Sequence, residues 1–177
     1  MLYEFIIDAR NQIISFLYRT LLKSLFFLVD PEIVHDSITL KGRLLGSNLV
    51  TRKLTSFLLN YSHPSLEQKL LGVKFKNPVG LSAGFDKDAR LTKILPSVGF
   101  GFTEIGTITG ERCTGNLKPR LWRLKNSQSL VVNYGLKNDG AEEISKRLQN
   151  KSFDFPVITS IGKTNSKDTV DIEAGIK

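Results

Sequence analysis

Asn77-Pro-Val-Gly-Leu-Ser-Ala-Gly-Phe-Asp-Lys87, followed downstream by Glu104-Ile-Gly-Thr107, decides how this chain is read. Each stretch opens as a short apolar strand and leaves through small or polar residues. Gly80 and Gly84 carry no side chain, so a flat ligand can approach the backbone there. Lys87 puts a cation just past the end of the first strand, and Thr107 puts a hydroxyl at the end of the second. Residues 88–98 between them predict a helix, which Pro96 must end or bend early. Strand, helix and second strand make an α/β unit with a parallel pair, whose ligands gather where the strands end.

Composition narrows the classes. The chain has 177 residues, 41% of them hydrophobic, enough for one domain with a core. One cysteine excludes an internal disulfide framework, and with two histidines no metal cluster is expected. A reducing compartment is the simplest reading. The net charge of +8 fits nucleic acid, acidic lipid headgroups or an anionic substrate. Nucleic acid is the weakest of these: the charges are dispersed, with no arginine-rich run, zinc-finger spacing or aromatic RNA-binding signature. No stretch reaches the roughly 18 uncharged residues of a membrane span. The apolar run over residues 13–29 is broken by Arg19 and Lys23, and no small-residue cleavage site follows it.

Working outward, residues 3–29 read as one or two helices. Ile14, Leu17, Tyr18, Leu21, Leu22, Leu25 and Val29 recur at helical spacing, and Phe16, Phe26 and Phe27 widen the apolar surface. Two readings stand: a helix packed on its own domain, or an interfacial helix resting on a bilayer with basic residues toward headgroups. Asp30-Pro31-Glu32 is a helix start, with a cap, a proline at the first position and an acid in the first turn. That helix is expected to run to about Leu45. A connector over 46–64 holds one short helical piece at 53–59, and 70–75 alternates like a small hairpin. Strands are expected over 79–83, 102–108 and 156–161, a long loop over 109–126 and a helix over 139–148. The division expected is a helical part over 1–60 and an α/β part over 61–177.

Gly80-Leu-Ser-Ala-Gly-Phe-Asp-Lys87, Ile105-Gly-Thr107, Val132-Asn-Tyr-Gly-Leu-Lys-Asn138 and Leu28-Val-Asp-Pro-Glu-Ile-Val-His35 together resemble the dihydroorotate dehydrogenases, specifically their membrane-associated, quinone-using class. The resemblance is densest over 71–140 and weaker over 24–38 and 160–169. It implies the first part of a TIM-type (β/α)8 barrel preceded by a small helical domain. It also implies flavin mononucleotide (FMN) as cofactor, touching Ala83, Gly84, Lys87, Thr107 and Ser160. Dihydroorotate or orotate would touch Lys87 and the loop residues Asn133, Tyr134, Gly135 and Leu136. His35 and Arg123 would border a passage for ubiquinone or menaquinone, with the protein peripheral on the cytoplasmic face of the cell membrane.

The pattern departs at two places. The family's loop asparagine stands three residues before the glycine, where this chain has Val132, and Asn133 follows it. Ser160 stands where the family usually has asparagine. From the residues alone, Lys87 could be a solvated loop lysine, His35 an ordinary helix residue and Arg123 a structural ion pair. Cys113 reads as a plain loop thiol. A complete barrel needs about 250 residues, and Asp171-Ile-Glu-Ala-Gly-Ile-Lys177 ends inside what reads as a helix start. The chain is therefore expected to be the N-terminal part of a longer protein. The serine base and the phosphate-holding loops are expected beyond Lys177, leaving the isolated chain inactive. The rivals are another flavin barrel acting on a dihydropyrimidine, and a truncated remnant with no activity.

Overall fold

The computed structural model describes residues 2–164. The helix start read at 171–177, and the resemblance beyond residue 164, lie outside the described residues. α1 (Leu2–Leu17) passes through one π-helical turn (Tyr18–Leu22) into α2 (Lys23–Leu28), as the helical spacing of the apolar residues requires. Val29 is extended and breaks the run. Asp30 then caps α3 (Pro31–Leu45), its carboxylate accepting from the N–H groups of Glu32 and Ile33. Pro31 sits where a missing N–H leaves nothing unpaired. The helical run over 2–28 and α3 meet at a bend of 120°.

α4 (Leu49–Leu59) is longer than the piece expected at 53–59. The side chain of Asn48 accepts from the N–H of Thr51 and starts the helix a turn early. β1 (Gln68–Leu70) and β2 (Val73–Phe75) form the small hairpin around Leu71 and Gly72, both at positive φ. β3 (Gly80–Leu81) is shorter than the strand expected over 79–83.

The helix expected over 88–98 shrinks to α5 (Leu95–Val98). Asp86 is the reason. Its buried carboxylate accepts from the N–H groups of Arg90 and Leu91, at 2.8 and 2.9 Å, which turns the chain instead of coiling it. β4 (Phe102–Ile108) follows as expected.

Inside the region expected to be a loop, β5 (Leu121–Leu124) pairs antiparallel with β6 (Ser129–Val132). The polar residues 125–128 close that hairpin, with Gln128 at positive φ. α6 (Ala141–Leu148) and β7 (Val157–Ile161) complete the described chain.

β3, β4 and β7 form one parallel sheet in that order, with Gly80 opposite Phe102 and Thr103 opposite Val157. Its apolar contacts fall in two clusters. Ala89, Ile105, Ile108 and Ile144 join sheet to α6, and Leu91, Ile94, Leu95 and Phe155 pack the turn segment and α5. Ile105 is fully buried, a burial that stabilises by roughly 1.5–3 kcal/mol. Because the three strands run the same way, their C-terminal ends share one edge.

Candidate functional site

That edge gathers Ala83, Gly84, Thr107 and Ser160 from three separate stretches of sequence. The Gly84 N–H donates to the carbonyl of Gly106 at 2.7 Å, and the Gly106 N–H donates to the carbonyl of Asp86 at 3.1 Å. Gly84 has φ +96, and a side chain added there would meet nothing within 4 Å, so the ground beside it is open. Gly106 is the opposite case. At φ +104, an added Cβ would fall 2.7 Å from the Ser160 carbonyl oxygen, so only glycine lets β4 and β7 meet there. The hydroxyls of Thr107 and Ser160 stand 2.9 Å apart, both residues half-buried.

Lys87 is half-buried against α3 and the loop after β6. Its Nζ lies 3.4 Å from His35 Nε2 and 4.1 Å from the centroid of the Tyr134 ring. His35 Nε2 also faces the Phe85 carbonyl at 2.9 Å, and its Nδ1 faces Asp36 at 3.2 Å. Burial, joined by the nearby Lys137, lowers the Lys87 ammonium to about 8, against the pull of Asp36, Asp88 and Glu32.

Behind Tyr134 lies a buried ion pair. The Arg120 and Glu32 side chains are 5% and 4% exposed, with Arg120 Nη2 donating to Glu32 Oε1 at 2.8 Å and Nε reaching both oxygens at 3.2 and 3.3 Å. Lys118 and Lys137 approach the same carboxylate at 3.3 and 3.7 Å. The Arg120 hydrogen bond outweighs burial and holds Glu32 down at about 2. Arg120 Nη1 donates to the carbonyls of Thr114 and Asn116, and its guanidinium lies 4.8 Å from the Tyr134 ring centroid. The Tyr134 hydroxyl is buried with no hydrogen-bond partner among the described residues, and burial raises its pKa.

Neither Glu32 nor Arg120 is assigned a site role by the sequence pattern. Of the two arginines in Pro119-Arg-Leu-Trp-Arg123, the ion pair belongs to Arg120. Arg123 instead donates to the Val29 carbonyl at 2.5 Å and covers the Phe27 ring at 5.1 Å, where α2 gives way to α3.

The remaining candidates are spread along the loop. Asn133 is exposed, its Oδ1 accepting from Asn116 at 2.8 Å and its N–H donating to the Arg120 carbonyl. Gly135 packs against Asn116, and Leu136 is 39% exposed near Gly162 at the exit of β7. Asn138 is buried and structural, bonding Thr109 Oγ1 and the Leu136 carbonyl. Cys113 is buried too, its thiol donating to the Gly135 carbonyl at 3.3 Å, consistent with a loop thiol. No group of His, Cys, Asp and Glu suited to a metal occurs among the described residues.

The family model described as dihydroorotate dehydrogenase matches residues 65–177. The chain belongs to the dihydroorotate dehydrogenase family. It is 37% identical over 145 residues to a dihydroorotate dehydrogenase (quinone) of Mycobacterium sp. (strain KMS), covering 82% of this chain and 41% of that protein. A protein of the same name from a Nitratiruptor species is 40% identical over 156 residues, covering 86% and 43%. The structure resembles crystalline DHODH from Eimeria tenella in complex with ferulenol, with a TM-score of 0.64 at 31% identity, covering 83% of this chain and 39% of that one. The chain thus spans about two-fifths of the length of these relatives.

Proposed function

We propose that this chain forms the N-terminal portion of an FMN-dependent dihydroorotate dehydrogenase that serves pyrimidine synthesis and delivers electrons to ubiquinone or menaquinone at a membrane surface. The observation that carries this reading is Lys87, a half-buried ammonium at the shared strand edge beside Gly84 and the Thr107–Ser160 hydroxyl pair. The residues fit a flat, hydrogen-bonding ring system. Gly84 leaves open ground, two hydroxyls can turn a donor outward, and the buried Tyr134 hydroxyl lacks a partner among the described residues.

FMN, when bound, supplies the hydride acceptor. Ala83 and Gly84 would line it, and Thr107 and Ser160 would bond its polar edge. Lys87 would bind the ring and the substrate's carbonyl or carboxylate, holding positive charge where negative charge gathers. Asn133, Tyr134, Gly135 and Leu136 would form the loop over the pyrimidine, with Asn133 turning inward from Asn116 to reach it. His35 and Arg123 would border the quinone route. Residues 1–60 would be the helical extension, and 61–177 the first part of the (β/α)8 barrel.

The membrane reading draws on the N-terminal helices. α1, the π turn and α2 bury no residue at all, while Leu2, Phe5, Ile13, Phe16, Leu21 and Leu25 are all more than half exposed. Among the described residues no single helix is long and apolar enough to cross a bilayer. Lying in the interface satisfies both facts, and the cytoplasmic side is proposed from the family resemblance alone.

The test is Lys87→Ala in the complete gene product, assayed with dihydroorotate. Turnover should fall roughly 100-fold, the scale for losing one well-placed electrostatic contact. Unchanged turnover with FMN bound would remove Lys87 from the site.

A further inference from the structure

Two cations share the Tyr134 ring: Lys87 at 4.1 Å and Arg120 at 4.8 Å. Only Arg120 has a carboxylate of its own, and that carboxylate, Glu32, sits on α3 rather than on the sheet. We infer that Glu32 is a positioning residue for Lys87, acting through Arg120 and Tyr134 to fix where the ammonium stands at the strand edge. The inference goes beyond the proposed function by joining the N-terminal helices to the site electrostatically, and it rests on that reading only for its effect on catalysis.

The physical argument is one of charge. Arg120 is almost wholly out of water, so its charge must be answered locally. With Glu32 ionised, Arg120 is neutralised and tethered, since its other nitrogen donates to the carbonyls of Thr114 and Asn116. The guanidinium is then a fixed wall for the Tyr134 ring, and the ring a fixed rest for Lys87. Without the Glu32 charge, the buried guanidinium would be unanswered beside the same ring and would repel the Lys87 ammonium more strongly.

Asp36 and Asp88 weigh more on the Lys87 ammonium than Glu32 does, but neither is ion-paired to Arg120. From α3, Asp36 favours the ammonium but is tied to His35 Nδ1, and Arg43 opposes it in the same cavity of about 310 Å³. From the loop after β3, Asp88 is bound to Arg90, and from the loop after β6, Asp139 is bound to Arg90 and Arg147. Lys137 repels Lys87 while leaning on Glu32 at 3.7 Å. Glu32 is therefore the anion that answers three cations on the site's side: Arg120, Lys118 and Lys137.

The test is an NMR titration of the full chain with lysines 13C-labelled at Cε, Lys87 being assigned by its loss in Lys87→Arg. In Glu32→Gln, the acid dissociation constant of Lys87 should rise about threefold or more, equivalent to roughly half a pH unit. Lys151, far from the pair, should titrate unchanged, which a general loosening of the fold would not spare. Glu32→Asp keeps the charge and should bring Lys87 back toward its native titration.

If Glu32→Gln does not fold, Tyr134→Leu breaks the same link on an exposed-side loop. There the Lys87 signal should lose its ring-current displacement and titrate at lower pH. Native titration of Lys87 in the variant that folds overturns the inference. A shifted titration with unchanged dihydroorotate turnover would keep the link and remove instead the proposed role of Lys87 in the reaction.

Discussion

Glu32 and Arg120 are each other's main reason for being charged in the interior. Removing one member of such a pair leaves the other uncompensated, at about 3–5 kcal/mol. Arg120→Met should fall at or below the lower end, since Lys118 and Lys137 still reach Glu32; urea unfolding measures the loss. The pair also sets an acid limit. Glu32 is held at about 2 in the folded chain against an ordinary value of 4.5, so its contribution is complete above about pH 4.5. It disappears as pH falls toward 2, on the order of 3 kcal/mol in all. Glu32→Gln should flatten that part of the stability profile. Lys87 has the opposite window. With its pKa near 8, it loses its ammonium as pH rises through that value, so binding of orotate should weaken above pH 8, measurable by calorimetry. Residues at this scale were legible where a single position must meet a local demand. Gly84, Lys87 and Thr107 stand at strand exits, and a strand exit is visible in a few consecutive residues. The choice of Arg120 over Arg123 was not legible, because its partner lies 88 residues away and no local pattern names it.

Helical elements carry their own tests. Asn48→Ala removes the cap of α4 and should cost about 1 kcal/mol, read as a lower midpoint in urea. Deleting residues 1–28 removes the exposed apolar face together with Arg19 and Lys23, each worth roughly 1 kcal/mol at an anionic surface. The shortened complete protein should stay in the supernatant when acidic vesicles are sedimented. Co-sedimentation equal to the native protein would make the helices packing elements only. The start of α3 was readable because Asp30-Pro31 joins a cap to a proline at the first position, whereas Asn48 alone left the start of α4 unread. Element ends were misread where a side chain overrode the backbone pattern: the Asp86 carboxylate takes the N–H groups that a helix over 88–98 would use. The hairpin of β5 and β6 was missed for another reason. Its strands expose most of their residues, so they lack the buried alternation that marks a core strand.

Across the whole molecule, the parallel arrangement followed from a strand, a turn segment and a strand in sequence, because parallel neighbours need a crossover. β3 and β7 each have an outer edge unpaired among the described residues. Beside β7 lies an apolar hollow of about 560 Å³ lined in part by Ile108, Ala141, Ile144, Leu148 and Ile161, the last 83% exposed. Exposed edges and apolar ground of this kind recruit other chains. Residues 1–177 alone should therefore self-associate as concentration rises, and a single monomer boundary in sedimentation velocity at every concentration would refute this. The Glu32–Arg120 pair has a last consequence, in the order of assembly. It closes a loop of 88 residues, for which the entropic cost is about 4 kcal/mol beyond a constant term. At synthesis rates of roughly 5–20 residues per second, Arg120 leaves the ribosome about 4–18 s after Glu32. Throughout that interval the carboxylate has only the start of α3 to favour it, and α3 has no buried arginine to dock upon. α3 must wait for the segment that leads into the β5–β6 hairpin before its carboxylate gains a partner.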